Sequence, residues 1–245
     1  MTESRPTLRL SSPRCLRPDA SPDLSLDSSL TSSPQGARRV PSRPRAALLV
    51  AAAVLALAGC ASAPPEHFYS LSNGVGAAPL KADPGYYIEL PAVAVPQQLS
   101  RVEMVVSSGA GQIDLKEQER WSAPPAAEIG QALSLAITGE LGTIDVFRTP
   151  TPKDAPVYRI STSVQRFESA PGQYALIDAV WSVHKVGTEQ VLTCRSVAEE
   201  KVAGGYDALV AGHRRAVNRV GAAISKAVQQ MAAGGKGTCD NGGAA

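Results

Sequence analysis

The sequence predicts an α/β or α+β fold in which a mixed β-sheet is flanked by two amphipathic helices. Two segments, residues 121–141 and 206–231, repeat apolar side chains every three or four residues, as a helix with one buried face does. Three runs between them, residues 157–167, 174–185 and 191–201, alternate apolar and polar residues as half-buried strands do. Helices and sheets that each have one apolar face bury those faces against each other, so the two patterns together predict a layered domain.

The first 37 residues differ in composition from the rest of the chain. They are rich in Ser, Pro, Arg and Asp and show no apolar periodicity, so they cannot bury enough surface to offset the entropy of ordering. We predict that residues 1–37 form a disordered extension. An extension ahead of a signal peptide is unusual, which favours a true start codon further along, near Val40. Cys15 lies in this segment and has no assigned role.

A secretory signal peptide is predicted over residues 38–59. Four arginines precede an uncharged run, Ala46–Ala58, and small residues form a cut site before Cys60. The order Leu57-Ala58-Gly59-Cys60 resembles a lipobox, the bacterial signal whose cysteine is acylated and becomes the first residue of the mature chain. The run of 13 residues spans about 20 Å as a helix, short of the roughly 30 Å hydrocarbon core, which argues against a transmembrane anchor. A plain secreted protein with a chance cysteine is the other alternative.

Acylation of Cys60, with palmitate among the chains, would attach the mature protein to a membrane without crossing it. Buried acyl methylenes contribute about 0.8 kcal/mol each, and several chains on one residue exceed what lasting attachment requires. Residues 60–66 then form a lipidated tether of small residues and prolines. Ala61 stands where an aspartate would act as an inner-membrane retention signal, so the resemblance to sorted lipoproteins favours the outer membrane, on its periplasmic side.

The net charge depends on whether the signal is removed. The full sequence holds 24 Lys+Arg and 22 Asp+Glu, and eight of those arginines and four of those acids precede Cys60. The mature chain therefore carries 16 basic and 18 acidic residues, which gives no ground for nucleic-acid binding. Its length suits a single domain, predicted over residues 67–232.

The amino-terminal half of this domain is predicted to be mainly β. A short strand is expected at Phe68–Leu71, and a second at Tyr86–Val95 is interrupted by Pro91. Two runs that flank a Gly-rich segment then predict a β-hairpin, with strands at Val102–Val106 and Ile113–Leu115.

The first helix is predicted over Trp121–Leu141. Ser122 is the expected N-cap, prolines follow in the first turn, and Gly142 ends the helix. Trp121 has two interpretations, an exposed anchor for a partner or, more commonly at a helix entry, a staple between helix and sheet. Ile144–Phe147 is expected to be the next strand.

The carboxy-terminal half is predicted to be an antiparallel meander followed by a long helix. Pro171-Gly172 and Gly187-Thr188 supply the turns between the three alternating runs. The helix is predicted over Tyr206–Met231, and Gly234-Gly235 ends it. The Gly-rich residues 233–245 are predicted to form a flexible tail.

The sequence carries no recognisable catalytic pattern. It lacks a Ser-His-Asp order, a nucleophile elbow, a zinc-binding helix and a phosphate loop. His213 lies on the apolar stripe of the last helix and is interpreted as a core residue, whereas His67 and His184 lie apart from it. Two acidic pairs are interpreted as solvated charges: Glu117 with Glu119, and Glu199 with Glu200. We therefore expect no enzyme activity, no cofactor and no metal site.

Cys194 and Cys239 are the two cysteines left after acylation. Export to an oxidising compartment favours a disulfide between them, which would tie the tail to the sheet across about 45 residues. The chain-entropy model assigns about 4 kcal/mol to such a loop. The alternative is two free thiols, with Cys194 packed in the core and Cys239 loose in the tail.

Five stretches occur in order along the chain: the lipobox at Leu57–Cys60, then Phe68–Leu71, Val93–Leu99, Arg120–Pro124 and Gly205–Val210. Together they resemble the PqiC-like family of ABC-type transport auxiliary lipoproteins, over Cys60–Met231. The resemblance implies a mixed sheet flanked by helices, similar to the anticodon-binding or TolB amino-terminal fold. It carries over no catalytic residue, only the acylated cysteine, Cys60.

The resemblance also implies a binding function. Such lipoproteins are the outer-membrane partners of transport systems in which a periplasmic MCE-domain protein, with a permease and an ATPase, bridges the envelope for lipids. We expect this chain to dock to such an MCE protein, as a homo-oligomer, in maintenance of envelope integrity, although no residue is assigned to partner binding. Two other functions are a chaperone-like lipoprotein that supports an outer-membrane assembly machine and, least favoured, an envelope hydrolase.

Overall fold

A computed structural model describes residues 64–72, 85–109, 111–152 and 154–240 of the chain. The predicted extension, the signal peptide and Cys60 lie outside the described residues, as do the first residues of the tether and the last five of the tail. The described residues all belong to one compact unit, Ser62–Ala245.

The described residues include seven strands and two helices. In chain order they are β1 (His67–Tyr69), β2 (Tyr87–Glu89), β3 (Glu103–Gly109), β4 (Gln112–Trp121), α1 (Pro125–Leu141), β5 (Val157–Ala170), β6 (Tyr174–Lys185), β7 (Val191–Lys201) and α2 (Tyr206–Ala232). A short 3-10 turn at Gln97–Leu99 precedes β3.

The strands form two mixed sheets where the sequence predicted one. Strand order is β1-β4-β3 in the first sheet and β2-β5-β6-β7 in the second. Each sheet has one parallel pair, β1 with β4 and β2 with β5, and its other pairs are antiparallel. The predicted fold class, a mixed α+β domain with two helices, is confirmed.

The core joins the second sheet to the two helices, and it also includes Met104, Val106 and Trp121 of the first sheet. Alternate residues of β6, from Ala175 to Val183, are at most 1% exposed, and β6 and β7 pack against α2. Trp181 in this layer donates its indole N–H to Ser196 Oγ at 2.9 Å, which satisfies the one polar group of a buried tryptophan. Because α2 has 27 residues, it extends about 40 Å along the sheet.

Glycines set how closely α2 approaches its neighbours. A Cβ on Gly221 would lie 3.0 Å from Ala136 Cβ of α1, and one on Gly212 would lie 2.3 Å from Val202 Cγ1. Both positions therefore favour the residue without a side chain, so the two close contacts of α2 depend on glycine.

Most of the predicted elements are confirmed. The hairpin exists as β3 and β4, with longer strands than predicted, and the meander is β5 to β7. Helix α1 ends where expected, at Gly142, whose φ of 65° is left-handed. Helix α2 extends one residue beyond the predicted Met231.

The predicted start of the first helix is wrong. Trp121 is the last residue of β4, because its backbone pairs with Tyr69 and its N–H donates to Val102 O at 2.8 Å. Pro124 occupies the N-cap position, without a side-chain cap, and Ser122 instead donates its hydroxyl to Glu128.

Two strand predictions also need correction. Ile144–Phe147 is not a strand, because the Asp145 carboxylate accepts the N–H groups of Leu90 and Phe147 and leaves a single bridge to Ile88. The predicted strand Tyr86–Val95 shortens to β2. Among the described residues that follow Pro91 and precede β3, backbone pairing with β5 resumes at a single bridge, Ala94 with Ser163.

Candidate docking site

A groove of about 560 Å³ lies between strands β3 and β5. Apolar side chains line it from the 3-10 turn, from both strands of the hairpin and from β5: Leu99, Val105, Ile113 and Phe167. Ile113 is 61% exposed, so part of this lining faces solvent. We call this feature the docking groove.

Both walls of the docking groove are open strand edges. Strand β3 is the last strand of the first sheet, and within the described ranges it pairs only with β4. Strand β5 pairs with β6 on one side, whereas on the other β2 covers only Val157–Arg159 and Ala94 bridges only Ser163. No described backbone group pairs with residues 166–170 on that second side. Such edges have unpaired N–H and C=O groups that can bind a further strand.

The polar side of the docking groove is electrically balanced. Arg166 donates two hydrogen bonds to Glu168, at 2.7 and 3.0 Å, and the Tyr174 hydroxyl donates to the same carboxylate at 3.2 Å. The hydrogen bonds from Arg166 lower the pKa of Glu168, so this carboxylate stays ionised beside its cation. The groove therefore presents hydrogen-bonding groups without net charge.

A second ion pair joins β6 to β7 on the same face of the sheet. Arg195 on β7 donates two hydrogen bonds to Asp178 on β6, at 2.9 and 2.7 Å. The Asp178 side chain is only 1% exposed, and the hydrogen bonds from Arg195 lower its pKa.

A serine and a histidine meet beneath the docking groove. Ser169 Oγ lies 2.8 Å from His213 Nε2, and the imidazole stacks on Phe167 with ring centroids 4.1 Å apart. Complete burial lowers the pKa of His213 to about 3, so the ring is neutral. His213 Nδ1 has no hydrogen-bond partner in the described part of the chain, so the pair lacks the acidic third member of a hydrolytic triad. The interpretation of His213 as a core residue is confirmed.

Trp121 packs with Phe167 and His213 in one aromatic cluster. It is 3% exposed, and its ring lies 6.0 Å from those of Phe167 and His213, centroid to centroid. The interpretation as an exposed anchor is therefore wrong, and the interpretation as a packing residue is confirmed.

A polar cluster fastens the chain where the tether enters the domain. Glu128 on α1 accepts the backbone N–H of Leu71 at 2.7 Å and the hydroxyl of Ser70 at 3.0 Å. Arg214 on α2 donates two hydrogen bonds to Ser70 O, at 3.1 and 2.6 Å. The sequence analysis missed both Glu128 and Arg214, because the partners are backbone groups far away along the chain.

Ion pairs surround β1 as well. Arg120 donates to Glu66 at 2.9 Å and to Glu103 at 2.7 Å, and Glu119 Oε1 lies 3.1 Å from His67 Nδ1. The interpretation of Glu119 as a solvated charge is therefore wrong, since it also accepts the Tyr69 hydroxyl. The same correction applies to Glu200, which binds Arg215 and Arg219.

The described ranges contain no group of three His, Cys, Asp or Glu side chains arranged to hold a metal. No helix among the described residues is both long and apolar enough to cross a membrane.

His184, the remaining histidine, donates from Nε2 to Thr188 O at 2.8 Å in the turn between β6 and β7.

Cys194 and Cys239 are joined by a disulfide in the structure, with Cα atoms 5.5 Å apart. The tail also returns to the domain through two side chains, one in the turn before β7 and one near the end of α2. Gln190 donates to Gly235 O at 2.7 Å, and Gln230 accepts the N–H of Thr238 at 2.8 Å. The redox state of the two cysteines in the cell stays a prediction.

Comparison with known proteins gives one family and a small set of similar structures. The family model of the ABC-type transport auxiliary lipoprotein component matches residues 69–225. The crystal structure of an uncharacterized protein superposes with a TM-score of 0.54 at 18% identity, covering 67% of this chain and 99% of that one. A DUF330 protein from Xanthomonas campestris gives a TM-score of 0.49 at 16% identity, covering 67% of this chain and 94% of its own. No curated protein matches the chain.

Proposed function

Because the chain belongs to the family of ABC-type transport auxiliary lipoprotein components, we propose that it is the docking subunit of an ABC-type transport system. In this function, acyl chains on Cys60 hold the domain on a membrane, and the domain binds a protein of the transport system. The family is a class of transport components and not of enzymes, which agrees with a function by binding.

The proposed partner is a periplasmic MCE-domain protein that acts with a permease and an ATPase in lipid transport between membranes. The proposed location is the periplasmic side of the outer membrane, with the chain as a homo-oligomer. Two sequence features support this finer proposal: the order of the five family-like stretches, and Ala61 in place of a retention aspartate after Cys60.

One observation carries the proposed docking function: two unpaired strand edges face each other across an apolar groove. An extended segment of a partner would add a strand there, with backbone hydrogen bonds to β3, to β5 or to both. Alternate side chains of such a segment would point towards Leu99, Val105 and Phe167, which gives the site selectivity for apolar residues.

The charges of the docking groove limit which side chains a partner segment can carry. The Arg166–Glu168 pair leaves the docking groove without an unpaired charge, so a charged side chain would enter without a counter-ion. We therefore propose that the segment that binds there is extended and uncharged, with small or apolar residues at alternate positions.

A charge placed in the groove tests this proposal. Val105→Glu puts a carboxylate on the half-buried wall, and Val191→Glu makes the same change at a position that is 57% exposed on β7. Affinity purification of the membrane-extracted protein, with bound proteins identified by mass spectrometry, should recover transport-system components with wild type and with Val191→Glu. Recovery should fall at least about tenfold with Val105→Glu, equivalent to about 1.4 kcal/mol.

Two outcomes would contradict the proposal. Equal recovery with both variants would exclude the docking groove as the binding site. Recovery of an outer-membrane assembly machine in place of any transport component would favour the chaperone-like function instead.

A further inference from the structure

The most exposed large apolar side chain of the described residues lies on the strand next to the tether. Phe68 in β1 is 62% exposed, whereas the following residue, Tyr69, packs against Tyr206 with ring centroids 6.5 Å apart. Strand β1 is also the edge of its sheet, so no described strand lies beyond it. A single exposed phenylalanine is unremarkable on a protein surface. This one stands out by its place in the chain.

Phe68 is eight residues from Cys60. At about 3.3 Å per extended residue, the ring lies within roughly 26 Å of the acylated position along the chain. The headgroup layer on each side of a bilayer is about 5 to 8 Å thick, so the tether is long enough to let Phe68 reach it. It is also short enough to keep the side chain near the membrane at all times.

We infer that Phe68 inserts into the headgroup layer of the membrane and so orients the domain, an inference that rests on the proposed acylation of Cys60. Phenylalanine is among the apolar side chains that surface-bound segments bury at the boundary between headgroups and acyl chains, because the ring leaves water there. The anchor holds the protein on the membrane, and Phe68 determines which end of the domain faces the lipid.

The orientation extends to the whole domain because β1 is fastened to both helices. Glu128 of α1 and Arg214 of α2 bind the residues that directly follow β1. Tyr206, in contact with Tyr69, is the first residue of α2, so the amino-terminal end of this helix of about 40 Å lies on the membrane side. The opposite end, with Met231 and the disulfide-bonded tail, faces away from the membrane.

The charges around β1 indicate which lipids Phe68 meets. Arg120 is bound between Glu66 and Glu103, and Glu119 lies beside His67, so carboxylates exceed cations at this edge. Anionic headgroups would be repelled, so the contact is expected with zwitterionic phospholipid.

Lipid-quenching of tryptophan fluorescence tests the orientation. The full-length acylated protein is reconstituted into vesicles of zwitterionic phospholipid whose acyl chains are brominated near the headgroup. Two variants each add one tryptophan as a reporter, Phe68→Trp at the membrane end and Val191→Trp at the opposite end. Val191 marks that opposite end because its neighbour, Leu192, lies close to Gly237 in the tail. Trp121 and Trp181 are at most 3% exposed and supply the same background in both variants.

The added fluorescence of Phe68→Trp should be quenched at least threefold more than that of Val191→Trp. The difference should shrink when anionic phospholipid replaces the zwitterionic one. Equal quenching of the two reporters, with the protein still bound to the vesicles, would overturn the inference and leave the docking function untouched. Failure of wild type to float with the vesicles would overturn the anchor itself, and the inference with it.

Discussion

Glu128 Oε2 accepts the backbone N–H of Leu71 at 2.7 Å, so a helix carboxylate binds the chain just after the strand that follows the tether. The same oxygen accepts the Ser70 hydroxyl, and the other oxygen accepts that of Ser122. Glu128 is 5% exposed, and a buried carboxylate is stable in a protein only when such donors surround it. This side chain therefore joins the segment that follows the tether to α1.

Glu128→Gln should lower the free energy of unfolding by about 1 to 3 kcal/mol, because the amide places an N–H group where the carboxylate accepted hydrogen bonds. Denaturant unfolding followed by circular dichroism measures the loss. Glu140→Gln on the exposed face of the same helix is the control and should change stability by less than about 0.5 kcal/mol. Equal effects of the two substitutions would show that the Glu128 cluster contributes nothing specific.

His213 should make the domain less stable in acid. Burial lowers its pKa from 6.5 to about 3, so between these values the unfolded chain binds a proton that the folded chain does not. The stability contribution is full above pH 6.5 and is lost as the pH falls to about 3, at about 1.4 kcal/mol per pH unit. Unfolding free energies measured at several pH values should show this slope in wild type.

The His213→Leu variant should lose that part of the slope, although its stability at pH 7 also falls because Ser169 loses its partner. Asp178 and Glu168, whose pKa values are lowered from 3.8 and 4.5 by their arginine partners, give a further loss that begins as the pH falls through those ordinary values and remains in the variant. An unchanged slope between pH 6 and pH 4 would contradict the buried, neutral state of the histidine.

Gly212→Ala should destabilise the domain, although alanine favours a helix by about 1 kcal/mol over glycine. A Cβ at this position would lie 2.3 Å from Val202 Cγ1 and 3.1 Å from Ala175 Cβ, and such overpacking costs about 1 to 3 kcal/mol. Gly130→Ala is the matched control on α1, because its Cβ would meet only Val93 Cγ2 at 3.5 Å. It should leave stability unchanged or raise it in thermal unfolding. Adding Val202→Ala to Gly212→Ala should recover part of the loss, and no recovery would show that the clash is not the cause.

The disulfide should contribute to stability as well as join the tail. Cys239→Ser opens a loop with a sequence separation of 45 residues, for which the chain-entropy model gives about 4 kcal/mol. A reducing agent should therefore lower the denaturant midpoint of wild type and leave that of Cys239→Ser unchanged. Intact mass before and after reduction checks the bond directly. A wild-type midpoint that does not respond to complete reduction would contradict a stabilising bond.

The elements that the sequence predicted well are those set by local periodicity. Alternation along β5, β6 and β7 and the apolar stripe of α2 depend on which face of each element is buried, and this repeats along the chain. The prediction of a strand at Ile144–Phe147 failed because a side chain takes the place of a backbone partner. The Asp145 carboxylate accepts the N–H groups of Leu90 and Phe147, which a neighbouring strand would otherwise bind. The docking groove could not be predicted, because it depends on the placement of β3 beside β5. The sequence of a strand does not indicate which of its two edges will lack a partner strand.

Cys60→Ser should release the protein from the membrane without unfolding it. Serine lacks the thiol that takes the lipid, and the contacts of the described domain begin at Glu66, beyond the acylated position. Fractionation of cells should move the variant from the membrane pellet to the soluble fraction, while its circular dichroism spectrum matches that of wild type. Cys15→Ser is the control, since this cysteine precedes the cut site and should leave attachment unchanged. Retention of Cys60→Ser in the membrane pellet would mean that the folded domain itself holds the protein there.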